Sequence, residues 1–166
     1  ICIAMKPTPS VTAVLPADVP NTPIRLARGI RAGRWLFATG QCGTDYVNAL
    51  APEVLQSGHP FDGPSQAHRE AQRLYRNVDE VLTAGGTSAG NVVRVDQYYT
   101  SPDVVDAYHE TRRAYFKGKI PVSTSNLHRR FARTGQSMEV QVMAAVPAGE
   151  FKVRHEADAA AYKIHH

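Results

Sequence analysis

The stretch MEVQVMAAV, residues 138–146, constrains the fold more than any other part of the chain. Its side chains alternate with period two. Met138, Val140, Val142, Ala144 and Val146 therefore point one way along a strand, and Glu139, Gln141, Met143 and Ala145 the other. The pattern predicts a sheet with one buried face and places a carboxylate, Glu139, on the side opposite the hydrophobic stripe. Upstream, Pro121 breaks a preceding helix. The hydroxyl run Ser123, Thr124 and Ser125 follows it and reads as a neighbouring strand, and then comes a basic turn, HRRFAR, at residues 128–133.

Earlier segments supply the layer that this strand needs. Five of the eleven prolines fall within residues 1–22 and just beyond (Pro7, Pro9, Pro16, Pro20, Pro23), which predicts an extended N-terminal arm over residues 1–22. IRLARGIRAGRWLFATGQ reads as two short strands about Gly29 and Gly33, with Trp35 and Phe37 sharing a face. Residues 43–64, including GHPFDGP, read as a long loop. Ser65 is positioned to cap a helix that reaches about Ala84. There Ala67, Ala71, Leu74, Val78, Val81 and Leu82 recur at three- and four-residue spacing, and Gly85–Gly86 ends it. Its polar face reads as ordinary solvated surface. NVVRVDQYYT is a strand. Ser101-Pro102-Asp103 then starts a second helix, with Val104, Tyr108, Arg112 and Tyr115 on one stripe and Val105, His109, Arg112 and Phe116 on the next, stopping at Lys117-Gly118. Strands, helix, strand, helix and two strands make an α+β plan: a mixed sheet with both helices free to cover one face.

A chain of 166 residues suits one well-cored domain and is short for two. With 43% hydrophobic and 20% charged residues it falls in the globular range, which excludes wholesale disorder. The net charge of +4 mildly favours anionic ligands, but no run of five like charges or interleaved basic-aromatic patch points to nucleic acid. Cys2 and Cys42 form neither a disulfide framework nor a metal-spaced set, in keeping with a reducing cytoplasm. The seven histidines fall in no metal-ligand spacing, so no metal is expected. No apolar run approaches the roughly 18–20 residues of a membrane span. Residues 1–4 read as a cloning remnant or processing product, and residues 148–166 as a tail or linker leading toward a further domain.

Three stretches, taken in order, resemble the reactive-intermediate deaminase family, RidA/YjgF, over roughly residues 23–147. GRWLFATGQ is similar to the family's strand ending in Ser/Thr-Gly-Gln. NVDEVLTAGGTSAGNVVRVDQYYTSPDVVDAYHETRRAYF is similar to its central helix, strand and second helix. PVSTS followed by MEVQVMAAV is similar to its proline-led strand and its closing strand with a glutamate. No one motif is specific alone; their order and spacing together are. The resemblance implies a chorismate-mutase-like fold, a homotrimer or tandem-domain equivalent whose sheets form a barrel, and sites in the clefts between subunits. It also implies cofactor-free hydrolysis of enamines or imines to a 2-oxo acid and ammonia.

By the same resemblance Glu139 is the residue that handles water and protons, Ser125 the pocket hydroxyl, and Thr39 the strand hydroxyl before Gly40. His109 stands at the usual asparagine position on the second helix. The family's carboxylate-gripping arginine falls on Ser123, and an early aromatic falls near Ile24 or Leu26, so both are missing. A hydroxyl cannot replace a bidentate guanidinium contact. Arg112 on the helix, or Arg129, Arg130 and Arg133 in the basic turn, are the candidates to supply the charge. The expected site is thus Glu139 and His109 for proton transfer, with Thr39, Ser123, Ser125, Arg112 and Arg129 binding a small acidic substrate, one variant being 2-aminomuconate-like from aromatic breakdown. A partly buried carboxylate suits Glu139 to general acid/base work, and a near-neutral imidazole suits His109 to proton shuttling. The rival readings are a catalytically silent metabolite-binding or regulatory protein, favoured by the lost arginine, and a ribonuclease, since relatives have been described as ribonucleases or translation inhibitors. Read without the family, Glu139 is a structural glutamate, the hydroxyls are packed and satisfied, and His109 is a boundary residue.

Overall fold

The computed structural model describes residues 10–17, 19–20, 26–56 and 63–149. The expectations for residues 1–9, for Ile24, for most of GHPFDGP and for the tail beyond residue 149 lie outside the described residues. Six strands form one sheet: β1 (Val11–Val14), β2 (Gly29–Ala32), β3 (Trp35–Ala38), β4 (Val92–Tyr99), β5 (Val122–Leu127) and β6 (Met138–Ala145). Their spatial order is β1-β2-β3-β6-β4-β5. Every pairing is antiparallel except β4 with β5. A parallel neighbour needs a crossover, and here a helix provides it.

Among the described residues the α-helices that accompany the sheet are α1 (Pro52–Leu55), α2 (Gln66–Ala84) and α3 (Val105–Tyr115). The Ser65 hydroxyl accepts from the His68 amide at 3.3 Å, satisfying one of the free N–H groups at the start of α2. At the other end Gly86 adopts φ +80°, a left-handed conformation in which glycine avoids the Cβ penalty. Ser101 accepts from the Asp103 amide at 3.2 Å, and a 3-10 turn at Pro102–Val104 leads into α3. The loop before α2 is more structured than the sequence suggests. It contains α1, packs Leu50, Ala51 and Val54 into a small core, and is tied down by Asn77, whose Nδ2 donates to the carbonyls of Cys42 at 2.9 Å and Thr44 at 2.8 Å.

The alternation in β6 appears as expected, with Met138, Val140, Val142 and Ala144 buried. They meet Leu74, Val78, Val81 and Leu82 of α2 and Tyr108 of α3 in the main core, so both helices lie on one face. Each large side chain fully buried there contributes about 1.5–3 kcal/mol. Among the described residues the opposite face carries no helix. Ile30 pairs with Phe37, and Phe37 with Met143, so these residues share that face with Trp35 and Glu139. Trp35 and Phe37 remain 41% and 45% exposed. Among the described residues no helix is long and apolar enough to cross a membrane.

Candidate functional site

Glu139 lies half-buried on β6, on the helix-free face, with Tyr98 of β4 as its register partner. Gln136, buried just before the strand, donates from Nε2 to Glu139 Oε2 at 3.1 Å and to the Met138 carbonyl at 3.2 Å. The other oxygen, Oε1, rests against the backbone of Gly40, where a Cβ would run into the carboxylate. Gly40 is held there because Gln41 bridges to Val140 through two backbone hydrogen bonds, at 2.7 and 2.9 Å. Thr39, exposed on the other side of Gly40, donates from Oγ1 to the Arg28 carbonyl at 3.1 Å and accepts from Gln41 Nε2 at 3.1 Å. Gln41 Oε1 accepts in turn from the Tyr46 hydroxyl at 3.0 Å, and burial pushes that phenol up to about 12. Thr39, Gly40, Gln41, Gln136 and Glu139 thus form one cluster. Gly40→Ala is expected to displace the Glu139 carboxylate and lower any activity that depends on it by up to about 100-fold, the scale of loss for a misplacement of about 1 Å, as steady-state kinetics would show.

Arg112, Gln97, Ser123 and Ser125 form a second cluster on the helix-covered face. β5 runs beside β4 with Val95 opposite Ser123 and Gln97 opposite Ser125, so both serines share the face of Gln97. Arg112 reaches down from α3. Its Nη1 donates to Gln97 Oε1 at 2.9 Å and to Ser123 Oγ at 3.2 Å, while Gln97 Nε2 donates to Ser125 Oγ at 2.7 Å. His109 sits one turn earlier, beside Tyr99 and Tyr108. Burial, then the nearby Arg112 cation, holds its imidazole below the usual histidine value. The Arg112 guanidinium thus reaches from the helix to Ser123, the position where the resemblance expects an arginine.

The expected residues are split between the two faces. Thr39 lies with Glu139; Ser123, Ser125, Arg112 and His109 lie together elsewhere. The hydroxyl strand is not the direct neighbour of β6 that the sequence suggests, because β4 lies between them. Arg129 is exposed in the turn after β5 and joins neither cluster, and Arg130 is exposed beside it. Arg133 is half-buried and close enough to oppose the rise that burial imposes on the Cys42 thiol. Sequence reasoning missed Gln41, Gln97, Tyr99, Gln136 and Glu70. Glu70 stood on a helix face read as solvated, yet it is 1% exposed. It accepts from the Ser137 amide at 2.9 Å, the Ser137 hydroxyl at 2.5 Å and the Met138 amide at 3.3 Å. The available signal was its position between Ala67, Ala71 and Leu74, on the edge of the apolar stripe.

A mixed six-stranded sheet with two helices on one face, a strand glutamate on the other, and a proline-led edge strand beside the second helix define the class. Residues 18–146 match the family model described as Endoribonuclease L-PSP. The chain belongs to this family, that of the Rid and YjgF proteins. No curated protein matches the chain. Among solved structures it is similar to YEO7 of yeast, at 18% identity and TM-score 0.68 over 83% of this chain and 100% of that one. It is also similar to YyfA of Yersinia pestis, of the conserved Rid family, at 19% identity and TM-score 0.67 over 82% and 100%. The YjgF product of E. coli aligns at 14% identity and TM-score 0.63 over 81% and 98%. Likeness at these identities establishes the fold.

Proposed function

We propose that the protein is a cofactor-free hydrolytic deaminase acting in the cytoplasm on the enamine or imine of a small acidic substrate, one variant being 2-aminomuconate-like, and releasing ammonia and a 2-oxo acid. The observation that carries this reading is the guanidinium of Arg112 lying 3.2 Å from Ser123 Oγ. This proximity supports Arg112 as the cation that the resemblance calls for at the position Ser123 occupies. It can grip a carboxylate through two parallel N–H contacts.

In this reading Glu139 directs a proton to the enamine carbon, giving the iminium tautomer. Water adds to the C=N carbon, and the resulting carbinolamine collapses to the 2-oxo acid as ammonia leaves. Gln136 holds one carboxylate oxygen of Glu139, and the close approach at Gly40 fixes the other. Thr39, Ser123 and Ser125 hold substrate or water, and His109, poised as a neutral imidazole, can relay a proton. Because Glu139 and Arg112 lie on opposite faces of one sheet, a site containing both draws on two protomers. The exposed Trp35 and Phe37, sharing a face with Glu139, support a homotrimer or tandem equivalent in which that apolar face is covered.

Imino acids generated in situ by an amino-acid oxidase provide the test. The enzyme is expected to speed ammonia release by at least about 100-fold over the spontaneous rate. If hydrolysis stays at the solvent rate while the protein still binds a 2-oxo acid, the chain is the silent metabolite-binding form that the loss of arginine at position 123 favours.

A further inference from the structure

The turn between β5 and β6 holds a cavity of about 420 Å³ that none of the roles above uses, with Arg130, Phe131, Arg133, Thr134 and Gln136 among its walls. That volume suits a small molecule. Ring contacts set the turn on the face of Glu139. Tyr98, the register partner of Glu139, meets the His128 ring edge-on at 5.0 Å, and His128 stacks on Phe131 at 6.0 Å with the rings 10° apart. Gly135, at φ +79°, turns the chain against Leu50 of the small core. Gln136 is a wall of the cavity, and its Nε2 donates to Glu139 Oε2 at 3.1 Å. One side chain therefore separates the cavity from the carboxylate assigned above to proton transfer.

The walls include two arginines and no carboxylate. Among the described residues neither Arg130 nor Arg133 forms an ion pair. Arg130 is exposed, but Arg133 is half-buried, where a cation gains more from an opposing charge than it would in open water. Its charge is felt inside the fold. Burial raises the Cys42 thiol, Arg133 opposes that rise and Glu139 adds to it, so both charges lie within electrostatic reach of one buried sulfur.

We propose that this cavity is the subsite for a second anionic group of the substrate, a carboxylate or a phosphate at the end away from the C–N bond, with Arg133 as the specificity-determining residue and Arg130 assisting at the rim. The inference rests on the deaminase reading and deepens it, because it makes the substrate a doubly acidic one. A guanidinium holds either anion through paired N–H contacts, and Phe131 offers an apolar wall to the carbons between the two ends. With Arg112 of a neighbouring protomer on the first carboxylate and Glu139 at the carbon that takes the proton, the far end of the substrate reaches past Gln136 to Arg133.

Calorimetry on the full chain tests this with 2-oxo acids of matched length: 2-oxoglutarate, 2-oxo-4-phosphonobutyrate and 2-oxopentanoate, whose far ends are a carboxylate, a phosphonate and a methyl group. The wild type is expected to bind an anion-tipped acid at least about tenfold more tightly than 2-oxopentanoate, the scale of a hydrogen bond to a charged group. The tighter of the two anions names the group. Arg133→Gln should erase that advantage and leave 2-oxopentanoate binding unchanged, while Arg133→Lys, which keeps the charge without the paired donors, should retain part of it. No advantage for either anion in the wild type, or an undiminished advantage in Arg133→Gln, would overturn the proposal. Failure of the deaminase reading looks different: the anion preference is present and depends on Arg133, yet no ammonia is released from imino acids with any tail.

Discussion

Replacing Glu139 with Gln is expected to lower imine hydrolysis by about 100-fold or more, the usual worth of a positioned proton-transfer group. Unfolding stability should stay within about 1 kcal/mol of wild type. The two expectations separate because of how the side chain is held. It is half-buried, accepts one hydrogen bond from Gln136 and leans on the flat backbone of Gly40. A glutamine keeps the shape and an acceptor oxygen for Gln136 but cannot take up and return a proton. Ammonia release and thermal melting, measured on the same preparation, check both halves. Wild-type turnover in this variant would remove the chemistry and leave only the architecture.

The largest effect on stability is expected at Glu70. Its carboxylate is 1% exposed and satisfies the amides of Ser137 and Met138 together with the Ser137 hydroxyl, the residues that lead into β6. Glu70→Ala strands both amides in the interior and leaves a void against Gly43, costing about 3–5 kcal/mol by denaturant unfolding. Glu70→Gln, which fills the space and can still accept from the amides, should cost far less. Burial pushes the Glu70 carboxyl above its ordinary value, although the three donors pull the other way. The folded chain then holds this proton more tightly than the unfolded one. Its contribution is fully present below the unfolded carboxylate value and is lost as pH rises through the raised folded value. Glu70→Gln should flatten that slope in the weakly acidic range, leaving the remainder of the pH profile in place.

The sequence exposes those parts of the fold whose signals are local. The period-two pattern in β6, the three- and four-residue spacing in α2, Ser65 and Ser101 as caps, and the shared face of Trp35 and Phe37 all follow from neighbours a few residues away. Contacts made across the chain are not visible in that way. Glu70 and Ser137 are 67 positions apart, so although Ala67, Ala71 and Leu74 put Glu70 on the edge of the apolar stripe, nothing near it announces the partners of its carboxylate. The strand order hid another relationship: β5 precedes β6 in sequence but lies beyond β4, which sends Ser123 and Ser125 to the helix face and away from Glu139. Arg112 stood among several arginines that could replace the missing anchor. Only the parallel β4–β5 pairing, with α3 crossing above it, brings one of them to Ser123, while Arg129 stays exposed in its turn.

In the proposed mechanism Glu139 of one protomer faces Arg112 of a neighbour across a shared cleft. Subunit mixing tests it most directly. Glu139→Gln and Arg112→Ala chains, each nearly inactive alone, would be unfolded together in equal amounts and refolded as mixed oligomers. If the cleft is shared, about a quarter of the interfaces unite both native residues by random association, and imine hydrolysis returns to about that fraction of the wild-type rate. Mixed oligomers as inactive as either parent would contradict the account.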